Sequence, residues 1–374
     1  MRPPARGGDP CLLGGIVLCS SRPLTPPLMG PRRGHERVFR AMGAHTKKRS
    51  LVAGGAGFLG SHLCDRLLAE GREVVCLDNF FSAGEENIGH LRATPEFTLL
   101  RHDITVPLDP ALPELAVDEI YLLACPASPI HYQQVPVETI RAILLGAANV
   151  LEFATRQQTR VLLASSSEVY GDPTVHPQTE EYPGRVSPVG PRACYNEAKR
   201  GAEALFVSYH RQHGVDIKIA RVFNTYGPRM RPDDGRVVSN FILSALRSEP
   251  LVLHGTGEQT RSFCYVDDLV GGLIKLMASP PSLADPVNLG MPRERTIREL
   301  AERVLRLTGA SAPLVEGPRP PGDPQRRCPD ISLARRALGW SPAISLDEGL
   351  GRTIRYYEEL NKTALDAEQS NRQH

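Results

Sequence analysis

Ser167 and Glu168 stand side by side in SSSEVYG (165–171), and Tyr195 and Lys199 stand four apart in YNEAK (195–199). On a helix, residues four apart share one face, so the phenol and the ammonium are neighbours there. A free tyrosine titrates near 10, too high for a base at neutral pH. Nearby positive charge favours the phenolate, and such a group can take the proton of an alcohol while the same carbon is oxidised. Ser167, at the end of the preceding strand, is placed to hydrogen-bond the same hydroxyl. By itself Tyr-x-x-x-Lys also marks any amphipathic helix, so the elements around it decide its meaning.

The stretch RSLVAGGAGFLGSHLCDRLLAEGREVVCLDNF (49–80) predicts a buried strand, a glycine-rich turn, a helix with Leu63, Leu67 and Leu68 on one side ending at Gly71, and a second buried strand. Gly54, Gly57 and Gly60 form GxxGxxG, and Gly55, Gly57 and Gly60 also satisfy GxGxxG. Glycines there allow a tight turn, close approach of backbone to a pyrophosphate, and close helix–strand packing. The helix N-terminus supplies free N–H groups to the anion. Asp78 closes the second strand 21 residues after Gly57. A carboxylate in that place accepts from the adenosine ribose hydroxyls and repels a 2′-phosphate, which favours NAD over NADP.

FTLLRHDIT (97–105) reads as a strand leading to Asp103, well placed to meet an adenine edge. DEIYLLAC (118–125) reads as a strand, PVETIRAILLGAANVLEFATRQ (136–157) as a long helix, and RVLLASSSEVYG (160–171) as a strand running into a loop. The alternation predicts an α/β fold with a doubly wound parallel sheet, whose ligands bind beyond the carboxyl ends of the strands. The expected organisation is a basic disordered arm at 1–48, an NAD-binding Rossmann domain at 49–225, a smaller and mainly substrate-binding α/β part at 226–362, and a tail at 363–374.

Bulk properties narrow the class. The 374 residues are 41% apolar, enough for a sizeable core. Net charge is +2, but residues 1–49 hold ten basic and two acidic residues, which leaves the remainder near −6. A mildly acidic body argues against a nucleic-acid partner. Residues 1–48 contain seven Pro and seven Gly. CLLGGIVLC (11–19) is half the length of a membrane span, so no membrane partner is expected. The eight cysteines form no CxxC pair and no zinc-ligand spacing, which reads as reduced thiols in a cytoplasmic protein. His210 and His213 lie at helical spacing with no third ligand candidate nearby, so no metal is expected.

Many motifs in order, GGAGFLGSHL, DNFFS, CPASP, SSSEVYGDPTVHPQTEEY, GPRACYNEAKR, ARVFNTYGPRM, DGRVVSNFI, QTRSFCYVDDLV, PVNLG and DPQRRCPDI, run from about residue 50 to about 360. With them the chain resembles the extended short-chain dehydrogenase/reductases that act on nucleotide sugars, and more narrowly the UDP-glucuronate decarboxylases. The resemblance implies that Tyr195, assisted by Lys199 and Ser167, takes the proton of the sugar 4-hydroxyl as NAD accepts hydride from C4. The carboxylate then lies β to a ketone and CO2 leaves. Proton return at C5 and hydride return give UDP-xylose. Glu168 is expected to orient the sugar or a water and to help manage the C5 proton. It also implies cofactor contacts at Phe58, Leu59, Asn79, Phe80, Ile104, Ala124, Ser165 and Arg229, and substrate contacts at Tyr132, Asn224, Arg236, Ser239, Gln259, Arg261 and Arg327. A homodimer is implied too, through two helices per subunit, one carrying Tyr195.

The chain departs from the family pattern at Asn196, Pro183, Ser187 and the pair Ala142–Ile143. The alternatives are a 4-epimerase, a 4,6-dehydratase or a decarboxylase that releases the 4-keto product. The pair Ser167–Glu168 argues against the first two. A non-catalytic NAD-sensing protein commonly loses the Tyr or the Lys, and both are present.

Overall fold

The structure is a computed structural model and describes residues 47–108, 115–319 and 324–371. The arm assigned to residues 1–48 therefore lies almost wholly outside the described residues, as do Cys11 and Cys19. The described residues form one compact unit.

The opening βαβ unit is β1 (Arg49–Ala53), α1 (Phe58–Ala69) and β2 (Glu73–Asp78), then come β3 (Phe97–Arg101) and β4 (Glu119–Leu122). α2 (Pro129–Gln134) and α3 (Pro136–Gln157) lead into β5 (Arg160–Ser166), α4 (Ala193–His213) and β6 (Ile217–Val222). The second half contributes β7 (Thr225–Tyr226), α5 (Val237–Leu246), β8 (Leu251–His254), β9 (Thr260–Ser262), β10 (Cys264–Tyr265), α6 (Val266–Met277) and β11 (Pro286–Leu289). β12 (Glu294–Thr296), α7 (Ile297–Thr308), β13 (Leu314–Gly317), β14 (Arg326–Arg327), α8 (Ser332–Leu338) and α9 (Leu346–Asn371) complete it. α9 runs nine residues into the stretch read from sequence as a tail.

The main sheet is all parallel in the order β11-β6-β5-β4-β1-β2-β3. This is the doubly wound order with one added strand, and the order reverses between β1 and β4, where such sheets bind ligands. Burial explains the apolar strands: Leu51 and Ala53 face one core with α3 and α4, whereas Val52 faces the other with α1 and α6. Alternate residues go to opposite faces, so a sheet covered on both sides needs uninterrupted hydrophobic runs. β11, from the part assigned to substrate binding, extends the large sheet beside β6 and α6 lies against it, so that part is interleaved with the cofactor-binding half. α5, α7 and α9 pack together over the remaining small sheets. α7 starts with a capping box, in which Thr296 Oγ1 accepts from Glu299 N at 3.0 Å and the Glu299 carboxylate accepts from Thr296 N at 3.2 Å.

Candidate active site

Beyond the strand ends lies a cavity of about 940 Å³, shared by both halves of the chain. Its floor is the glycine turn. Gly54 has φ +84°, and a Cβ there would stand 2.7 Å from Ala124 N. A Cβ on Gly60 would lie 2.0 Å from the Gly54 carbonyl oxygen, whereas one on Gly57 would meet nothing closer than that oxygen at 3.3 Å. The first glycine thus lets the turn lie against the end of β4, the third lets α1 close on the turn, and the second keeps its face open to the cavity. No side chain caps α1 at Gly57, so its first N–H groups are left for an anion. These features fit the pyrophosphate of a dinucleotide.

Asp78 ends β2 with its carboxylate accepting from Ala56 N at 3.0 Å and Phe80 N at 2.9 Å, while burial pushes its pKa up. Asn79 Nδ2 donates to Asp103 at 3.0 Å. Burial alone would raise Asp103, but hydrogen bonds from Thr105 and Asn79 outweigh it and hold the carboxyl below its ordinary value. Phe58, Leu59, Ile104, Ala124, Ser165 and Arg229 all line the cavity, Arg229 with φ +65° and an ion pair to Asp65 at 2.7 Å. Ser165 turns its hydroxyl away, donating to Glu203 at 2.5 Å. Phe80 does not line the cavity. Its left-handed backbone, φ +59°, sends the ring beneath the Arg101 guanidinium, 4.8 Å away, and Phe81 lines the wall instead.

The proton-handling groups converge at the end of β5. Tyr195 and Lys199 are both buried on one face of α4. Lys199 Nζ donates to the Ala164 carbonyl at 2.7 Å and lies 5.6 Å from the centre of the Tyr195 ring. The depressed phenol expected from sequence is not found in the protein by itself: burial drives Tyr195 well above its ordinary value, Cys125 and Glu168 add to the rise, and Ser166 and Arg236 offset only part of it. The hydroxyl that reaches the Tyr195 phenol is that of Ser166, one residue before the predicted Ser167. Ser167 lines the cavity as the first residue of a short 3₁₀ turn, Ser167–Tyr170, for which Ser166 is the cap.

Glu168 is buried in that turn and held by two guanidinium groups, Arg192 Nη2 at 2.7 Å and Arg327 Nη1 at 2.6 Å. Burial would raise its pKa, but Arg327 first and then Arg192 outweigh it, so the carboxyl stays ionised below its ordinary range. Arg192, absent from the sequence-based set, also donates through Nε to the Tyr132 hydroxyl at 2.9 Å. Tyr132 is stacked on Tyr195, with ring centres 4.9 Å apart and planes 11° from parallel.

On the substrate side, Asn224, Arg236, Gln259, Arg261 and Arg327 all line the cavity. Arg236 pairs with Asp234 at 3.1 Å, Gln259 Nε2 donates to the His254 carbonyl at 2.7 Å, and Arg261 is buried with Nη1 donating to the Thr260 carbonyl at 2.7 Å. Arg327 Nε and Nη2 are buried with no partner among the described residues, an arrangement that suits an incoming anion. Ser239 is not in the wall. Its hydroxyl donates back to the Arg236 carbonyl at 2.9 Å and faces Tyr357. Among the described residues no group of three or more His, Cys, Asp or Glu gathers to hold a metal ion, and no helix is long and apolar enough to cross a membrane.

The chain belongs to the NAD dependent epimerase/dehydratase family, whose profile matches residues 50–290, and its cofactor is NAD. Within that family it is similar to UDP-glucuronic acid decarboxylase 6 of Arabidopsis thaliana, 51% identical over 326 residues that cover 87% of this chain and 91% of the relative. UDP-glucuronic acid decarboxylase 1 of Xenopus tropicalis is 50% identical over 313 residues, covering 84% of this chain and 73% of the relative. Among solved structures, a UDP-glucuronic acid 4-epimerase from Bacillus cereus in complex with UDP-glucuronic acid and NAD superposes with a TM-score of 0.76 at 29% identity, covering 83% of this chain and 99% of the other.

Proposed function

We propose that the protein is a UDP-glucuronate decarboxylase that forms UDP-xylose. The observation that carries this reading is the ionised Glu168, clamped by Arg192 and Arg327 beside the Tyr195–Lys199 pair, in a chain half identical to decarboxylases. Bound over the glycine turn, NAD supplies the acceptor for the C4 hydrogen and later its donor. The positive charge of the bound nicotinamide would offset the burial of Tyr195 and favour its phenolate, and as phenolate Tyr195 Oη would take the proton of the sugar 4-hydroxyl, with Ser166 beside it. The C6 carboxylate thereby comes to lie β to a ketone, so CO2 leaves as the bond electrons pass into an enolate. Glu168 orients the sugar and a water at C5 and governs the proton delivered there. The unpaired Nε and Nη2 of Arg327 meet an anionic group of the substrate. Ser167, Asn224, Arg236, Gln259 and Arg261 hold the UDP-sugar from the second half of the cavity.

The reading includes a homodimer in the cytoplasm. Its support is the exposed apolar edge of α3, where Val137, Ile140 and Leu145 face outward next to α4.

The test is a mass-resolved assay of wild type and Glu168→Gln with UDP-glucuronate and NAD, following CO2 and the nucleotide sugar together. UDP-xylose without net NADH from wild type, with CO2 release lost in the variant, supports the reading. Equal amounts of a UDP-4-keto-pentose and NADH identify a decarboxylase that lets its intermediate go. Epimerised or dehydrated sugar without CO2 overturns it.

A further inference from the structure

Arg192 stands at the N-cap of α4 and reaches in two directions. Its Nε meets the Tyr132 hydroxyl of α2 and its Nη2 meets Glu168 Oε1 in the turn after β5. Because Tyr132 is stacked on Tyr195, one guanidinium joins the carboxylate to the aromatic pair that carries the phenol. Arg327 holds the same Oε1 from β14, but the tie to Tyr132 is made by Arg192. A planar guanidinium presents its donors in a fixed fork, so two acceptors bound to it are held at a set separation; a lysine ammonium has no such fork.

Resting on the decarboxylase reading above, we propose that Arg192 is a positioning residue that fixes the spacing between the two proton-handling groups of the reaction, the Glu168 carboxylate and the Tyr195 phenol. The charged and titratable groups facing Glu168 are Arg327 from β14, Arg261 from β9, Arg192 and Tyr195 from the start of α4, and Tyr132 from α2. Arg192 is one of the two whose charge most opposes protonation of the buried carboxyl. It therefore has two separable effects. Its charge keeps Glu168 ionised, and its fork keeps Tyr132, and with it the Tyr195 ring, at a set distance from that carboxylate.

Three variants separate these effects. Arg192→Met removes charge and fork, Arg192→Lys keeps the charge, and Tyr132→Phe keeps the stack but removes the acceptor. Turnover of UDP-glucuronate with NAD is measured across pH with CO2 and UDP-xylose resolved, alongside thermal unfolding and calorimetric binding of UDP. Protonation of Glu168 is followed by infrared difference spectroscopy against Glu168→Gln, which needs no substrate. For Arg192→Met the expected result is a kcat about 10²-fold lower with KM within about threefold, since small misplacements of reacting groups act at that level. Its Glu168 protonation is expected to move to higher pH, because one of the two charges that oppose it is gone. Arg192→Lys and Tyr132→Phe are expected to keep the Glu168 titration and to share a fall in kcat of about tenfold.

The proposal is overturned if Arg192→Met turns over like wild type. It is also overturned if the three variants lose melting temperature while kcat per folded enzyme and the Glu168 titration stay put, which is what a merely structural arginine predicts. If wild type releases no CO2, it is the functional reading that fails. The infrared titration of Arg192→Met then still decides whether Arg192 governs Glu168.

Discussion

Replacing Arg327 by Met tests the anion site most directly, because the structure fixes what is lost on each side. Arg327 is 5% exposed and gives one charged hydrogen bond to Glu168, itself 8% exposed. Breaking a fully buried ion pair costs about 3–5 kcal/mol. Two features reduce that figure here. Arg192 stays behind on the same carboxylate oxygen, and Arg327 Nε and Nη2 are buried without partners among the described residues, so the folded protein already bears part of their desolvation. The expected loss of folding stability is therefore about 1–2 kcal/mol, close to the net worth of one charged hydrogen bond.

Binding should suffer more than folding. Two buried donors that lack protein partners regain their hydrogen bonds only from a bound anion, at about 1–3 kcal/mol for each group left unpaired. Taking about 2–3 kcal/mol in total, UDP affinity falls about 30- to 150-fold. Calorimetric titration with UDP reads the second quantity and denaturant unfolding the first. The double variant Arg327→Met/Glu168→Gln, which no longer buries an under-neutralised carboxylate, should recover most of the stability and none of the affinity. If Arg327→Met binds both UDP and UDP-glucuronate within threefold of wild type, the unpaired nitrogens do not meet the ligand and the assignment of this arginine is wrong.

Other outcomes follow from single sites. Gly60→Ala forces a Cβ to within 2.0 Å of the Gly54 carbonyl, so the turn must open; about 1–3 kcal/mol of stability and at least tenfold in NAD affinity should go, read by melting and by NAD titration. Ser166→Ala should lower kcat about 10²-fold, and more than Ser167→Ala does, because the Ser166 hydroxyl meets the Tyr195 phenol; the reverse ranking in a kcat comparison restores the sequence-based assignment. Glu168 has a folded pKa below its unfolded value of about 4.3, so its ionisation contributes stability that is present above that value and lost as pH falls through the folded pKa. Urea midpoints of wild type relative to Glu168→Gln should accordingly drop as the solution is acidified through that window, and parallel curves would refute the clamp.

The parallel, doubly wound sheet and the glycine turn were legible because local pattern and tertiary role agree there: continuous apolar runs mark strands covered on both faces, and the turn glycines answer close backbone contacts. What was missed turns on direction. β5 runs through Ser166 before the 3₁₀ turn begins, so Ser167 belongs to the turn and not to the strand end, and strand alternation does not fix which hydroxyl nears the phenol. Phe80 and Phe81 exchange places through one left-handed φ that sequence does not announce. Arg236, the N-cap of α5, and Asn240 on the helix line the cavity, while Ser239 between them faces Tyr357. Arg192 was invisible for another reason. Its partners lie 24 and 60 residues away, and a long basic side chain at a helix start carries no local signal of them.

The geometry also changes what Tyr-x-x-x-Lys means in this chain. Tyr195, Lys199 and Glu203 repeat every four residues along one face of α4, and between them they hold three consecutive residues at the end of β5. Lys199 takes the Ala164 carbonyl, Glu203 takes the Ser165 hydroxyl, and Tyr195 meets the Ser166 hydroxyl. Glu203 is itself fixed by the Arg221 guanidinium of β6 at 2.8 Å. Much of the lysine's role is thus mechanical: it pins the strand to the helix, in a site where burial still dominates the phenol. With β5 tied to α4 at Ala164 and Ser165, the turn that follows begins beside Tyr195. The backbone of Ser167 and Glu168 is then set by the α4 face, and the two arginines have only the Glu168 side chain left to orient.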